Sequence, residues 1–152
     1  MERNANIFDK IGSLISGYSG YADRDGRRNC DKALRAEIVN KINEFEKNIV
    51  NNLPVLIKDN RQSDILSSEF LRKSFNTLAS KIEYAPYGES GFFDNDCIKE
   101  DELAQIYQLD LELLEALENI EEPINDDFGK IKNSIIRIEQ KLSERNKYIS
   151  KF

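Results

Sequence analysis

Histidine is absent from this 152-residue chain, and cysteine occurs only twice. Without histidine there is no Ser-His-Asp triad, no Cys-His pair and no imidazole to hold a metal. Cys30 and Cys97 alone build neither a disulfide framework nor a cysteine-based zinc site. Two reduced thiols in a cytoplasmic protein are the expectation. Prolines number 3 and glycines 7, so long stretches run without a breaker, which favours helices. No run approaches the roughly 20 apolar residues that span a membrane. The start, "MERNANIFDKIGSLIS", has charges on both sides of a short apolar pattern and no small-residue cleavage site, so it does not read as a signal peptide. The phosphate-binding patterns GxxxxGK[ST] and GxGxxG are missing too.

What is present is apolar residues at helical spacing. The length fits one domain over residues 1–152 with a substantial core. Ile7, Phe8, Ile11, Leu14 and Ile15 share one face of a short first helix over residues 4–15, which Gly17 and Gly20 end. From about Asp23 to Leu53, steps of three and four link Cys30, Leu34, Ile38, Ile42, Phe45, Ile49 and Leu53. Pro54 marks a bend or an end to this long helix. A third helix, roughly 63–83, carries Leu66, Phe70, Leu71, Phe75, Leu78 and Ile82. A fourth begins at Glu100, Asp101 and Glu102, which suit the positive end of a helix dipole. Its stripe of Leu103, Ile106, Leu113, Leu117 and Ile120 is interrupted by Asp110. After Pro123, a fifth helix has a near-heptad seam of Phe128, Ile131, Ile135, Ile138, Leu142 and Ile149. No stretch alternates as a strand would. The pattern predicts an all-α antiparallel bundle with a short N-terminal helix and four longer ones.

Two segments stand apart. "SGYSGY" follows the first helix, and "YAPYGESGFF" follows the third. Short links make sequential helices antiparallel, so both segments should meet at one end of the bundle, near Arg24, Arg27 and Arg28. In one role Phe92 and Phe93 plug the open core while glycine and proline supply the turns. In the other, tyrosine and arginine form a recognition surface, since both are favoured interface anchors. The two roles are compatible. The candidate partner-binding residues are Tyr18, Tyr21, Arg24, Arg27, Arg28, Tyr84, Tyr87, Phe92 and Phe93.

Charge gives a second candidate surface. From Glu100 to Asp127 there are eleven acidic residues and no Lys or Arg, whereas Lys130 to Lys151 holds seven basic residues and only Glu139 and Glu144. Either the fourth and fifth helices neutralise each other, or the acidic helix faces a partner with a basic surface. A net charge of −6 argues against general nucleic-acid binding. "YADRDGRRNCDK" and "DNDCIKEDELAQ" superficially suggest calcium loops, but the first would start on Tyr21 and end on Lys32. The second has Lys99 at the glycine position and Gln105 at the last, so neither is an EF-hand. The first helix balances Glu2 and Asp9 with Arg3 and Lys10, which lacks the basic excess of a membrane-surface helix. The expectation is a non-enzymatic protein-binding adaptor without metal or cofactor. The alternatives are a carboxylate or divalent-metal enzyme and a peripheral membrane adaptor.

Overall fold

The computed structural model describes residues 2–84, 91–120 and 128–152, and every long element among them is a helix. We number them α1 (Glu2–Leu14), α2 (Arg27–Lys58), α3 (Gln62–Glu83), α4 (Glu100–Glu118) and α5 (Phe128–Ile149). No strand occurs among the described residues. The all-α bundle read from the apolar spacing is the observed fold, one short helix and four longer ones packed together.

Pro54 lies inside α2, which runs on to Lys58 before Asn60 turns the chain in a left-handed conformation. A glutamate caps the start of α4, where the Lys99 N–H donates to Glu102 Oε1 at 3.0 Å. α2 and α3 form one antiparallel hairpin, with Phe45 and Phe75 facing each other at 5.4 Å. α4 and α5 form the second, tied by Lys141 to Glu112 at 3.1 Å and by the Tyr148 hydroxyl donating to the Glu102 carbonyl. The hairpins then pack so that α3 lies beside α5 and α2 beside α4. Both of these pairs run parallel. α3 and α4, although consecutive, therefore take opposite corners of the four.

Leu34, Ile38, Ile42, Phe45, Phe75, Leu78, Leu113, Leu117, Ile135 and Ile138 are buried as their spacing requires, while Leu142 is partly buried. Two members of the α3 stripe depart from it. Leu66 is 73% exposed and Phe70 53% exposed. The helix turns by 100° per residue, and the row through Ser68, Leu71, Phe75, Leu78 and Ile82 is the one that faces inward. α1 buries Ile11 and Ile15 against the bundle, chiefly on α4.

Candidate functional site

The two aromatic segments meet at the end of the bundle where α2 begins and α3 ends. Gly17 and Gly20 both adopt positive φ, +87° and +88°, which lets the chain reverse after α1. Gly20 also permits a close approach, since a Cβ there would lie 2.7 Å from the Tyr107 hydroxyl and 2.9 Å from the Phe8 ring. The reversal turns Tyr18 and Tyr21 inward. On the other side, residues Gly91–Phe93 form a short 3-10 turn that buries Phe92 and Phe93.

Three arginines close the seam between the segments. The buried Arg27 donates through Nε to the Tyr21 carbonyl at 2.8 Å and through Nη1 to the carbonyls of Phe92 and Asn95 at 3.0 and 2.5 Å. Arg24 pairs with Asp96 at 2.6 Å, and Arg28 with Asp94 at 3.0 Å. Apart from the local bond to Tyr21, these contacts join residues 65 to 72 positions apart in sequence. Tyr21 also meets the Phe92 ring edge-on at 5.5 Å, and Phe92 meets Phe152 at the same distance. The predicted meeting of the two segments is therefore observed over their described residues.

Beneath this seam lies a buried ionic cluster. Arg145 of α5 is 1% exposed. Its Nε donates to Asp110 Oδ1 of α4 and its Nη2 to Asp31 Oδ1 of α2, both at 2.6 Å. The hydroxyls of Tyr18 and Tyr21 donate to Asp110 Oδ2 at 2.7 and 2.6 Å, and Tyr21 in turn accepts from Arg145 Nη2 at 3.0 Å. Arg35 lies 3.1 Å from Asp31 Oδ2, so two guanidinium groups balance two carboxylates. The Tyr107 hydroxyl accepts the Tyr21 backbone N–H at 2.9 Å. One cluster thus ties α2, α4, α5 and the turn after α1.

The chemistry open to this cluster is narrow. Burial, reinforced by the Asp110 charge, raises both Tyr18 and Tyr21 far above an ordinary phenol, which keeps them as neutral donors. Burial pushes the Cys30 thiol up to about 12, so it is a poor nucleophile at neutral pH. Burial alone would lower Arg145, but Asp110, Tyr21 and Asp31 outweigh it and hold the guanidinium charged. All of these groups are sealed from solvent. No group of three or more Cys, Asp or Glu side chains among the described residues is placed to hold a metal ion.

The nine candidate residues divide accordingly. Tyr18, Tyr21, Arg27, Phe92 and Phe93 are inside, with Phe92 and Phe93 in the plugging role, whereas accessible tyrosines at positions 18 and 21 are not observed. Their rings and polar atoms complete the end of the core instead. Arg24 and Arg28 keep part of their surface while paired, and Tyr84 stands 78% exposed. Tyr87 lies outside the described residues. The acidic helix is partly neutralised from within, since Glu112 meets Lys141, Glu115 meets Lys10 at 3.4 Å, and Asp110 meets Arg145.

Asp31, Asp110, Arg145, Arg35 and Tyr107 were not singled out as a site from the sequence. A signal existed. Asp110 breaks the α4 stripe, Asp31 falls three residues before Leu34, and Arg145 falls between Leu142 and Ile149 on the α5 seam. Charges on three apolar stripes, one positive and two negative, point to an internal ionic cluster.

Fold and site together define a four-helix bundle with an added N-terminal helix and a polar lock at one end. Comparison with protein-family models, with characterised proteins and with solved structures finds nothing that matches this chain.

Proposed function

We propose that the protein is a non-enzymatic module that binds another protein. The observation that carries this reading is a division of side chains. Tyr18, Tyr21, Cys30, Asp31, Asp110 and Arg145 are sealed in the bundle, while large apolar side chains, including Leu66, Phe70, Ile57 and Tyr84, stand on its surface. Exposed apolar side chains that cluster are the usual material of an interface. The locked loop end supports the same reading, because a rigid frame lowers the cost of ordering a surface on binding. Around it, Tyr84 and the paired Arg24 and Arg28 make a rim of the kind that protein interfaces favour.

Affinity capture with chemical crosslinking from the native cells tests this. One saturable protein partner, weakened by Tyr84→Ser with Arg28→Ala at an unchanged melting temperature, is the expected result. Turnover of a small-molecule substrate by the purified chain, or the absence of any saturable partner, would overturn the reading.

A further inference from the structure

The bundle has two parallel helix pairs, and among the described residues α1 covers one of them. α1 lies over the α2/α4 pair. Its Leu14 lines a cavity of about 190 Å³ together with Glu37, Lys41, Leu114 and Leu117, and the turn after it brings Gly17 against Ala33. The α3/α5 pair has no such helix on it among the described residues. Two depressions follow its seam instead. One, of about 350 Å³, is walled by Leu66, Phe70, Leu71, Phe128 and Lys132, and the other, of about 530 Å³, by Leu78, Lys81, Glu139, Leu142 and Lys147. The two depressions follow one another along the α3/α5 groove, and from Leu66 to Lys81 α3 rises about 22 Å at 1.5 Å per residue, the length of a four-turn helix.

We propose that the α3/α5 groove receives an amphipathic helix with an acidic polar face, supplied by a partner protein. The inference rests on the protein-binding reading and names the surface and the ligand. The exposed Leu66 and Phe70, one turn apart, suit the apolar anchors of a docked helix. Charge selects the kind of helix. The walls carry Lys81, Lys132 and Lys147 against Glu139 alone, on a chain whose net charge is −6.

The test presents the purified full chain with a displayed library of four-turn helical peptides. Their apolar face is fixed as Leu and Ile, and their polar face is randomised over Glu, Gln and Lys. Glu-rich faces should enrich, and the best synthetic peptide should lose about tenfold in affinity in Phe70→Asp and again in Lys81→Glu with Lys147→Glu. These side chains are at the surface, so circular dichroism should be unchanged. Leu66→Ser provides a second apolar probe should Phe70→Asp fail to fold. Enrichment of Lys-rich or indifferent faces, or no enrichment, overturns the proposal. So does a dimer that Phe70→Asp dissolves, because the groove would then belong to a second copy. Acidic helices that bind but ignore all three variants sink the groove and leave the protein-binding reading standing. A failed library together with failed capture from cells sinks both.

Discussion

The two ends of the core are held by different physics. Around Phe45 and Phe75 the contacts are chiefly apolar, with the Lys41 ammonium over the Phe45 ring at 5.6 Å, whereas around Arg145 the interior is ionic and phenolic. Apolar burial is non-directional and tolerates small slips of one helix past another. The Arg145 cluster does not tolerate them, because one guanidinium must reach Asp31 and Asp110 on two other helices at 2.6 Å each. Removing two charges from water costs much of what their attraction returns, so such a cluster adds little net stability over a packed apolar one. Its contribution is register. The apolar half drives the chain to collapse, and the ionic half determines which collapsed arrangement persists.

Substitutions can break this contrast. Arg145→Met should be the most damaging, costing about 3–5 kcal/mol, because two buried carboxylates lose their main partner. Replacing Arg145, Asp31 and Asp110 together by apolar residues should recover much of the loss in chemical denaturation but broaden the amide NMR spectrum. A triple variant as sharp as the wild type would show that the cluster does not set register. Phe75→Ala should also cost about 3–5 kcal/mol, with no comparable rescue by a second substitution.

Gly20→Ala tests the turn that delivers the tyrosines. It adds left-handed strain to a collision with Tyr107 and Phe8, so about 2–4 kcal/mol should be lost. Gly17→Ala meets only Ala33 at 3.7 Å and should lose the strain alone, about 1–2 kcal/mol. Equal effects at the two glycines would mean that the Tyr107 approach is not maintained in solution.

Alkaline pH sharpens the contrast from the ionic side. The Cys30 thiol is raised from 9.0 to about 12, so the folded state keeps a proton that the unfolded chain releases. Stability should therefore be flat below pH 9 and fall as pH rises towards 12, by on the order of 1 kcal/mol at pH 10. The raised Tyr18 and Tyr21 steepen the fall above the ordinary phenol range. Cys30→Ala should remove the first part of this slope in denaturant titrations, and a thiol reagent at neutral pH should modify the exposed Cys97 first. Arg28→Ala should have the smallest effect, about 1 kcal/mol or less, since its pairing with Asp94 is half in solvent.

Helix positions were legible because apolar residues at steps of three and four leave few alternatives, and four of the five helix starts and ends lie close to the spacing. α2 overran its expected end because Pro54 lies in the last turns, where the helix loses one hydrogen bond and continues. The meeting of the two aromatic segments followed from connectivity alone. The inward turn of Tyr18 and Tyr21 was not legible. Their partner Asp110 breaks the α4 stripe, but spacing alone does not say that two tyrosines from the turn after α1 reach it. Likewise Phe70 fits the α3 stripe by spacing, but only the placement of α5 decides which row faces inward.

Arg145 lies in the last of the five helices, and this has a consequence for synthesis. A ribosome emits the chain from the N-terminus, and Asp31 and Asp110 leave it long before the cation that neutralises them. Until α5 emerges, closing the bundle would bury two anions with Arg35 as their only guanidinium partner, so premature closure is disfavoured. Nascent chains halted before residue 145 should stay protease-sensitive, and those that include α5 should become resistant. The cluster is then a timing device as well as a lock: it ties closure of this bundle to the arrival of α5.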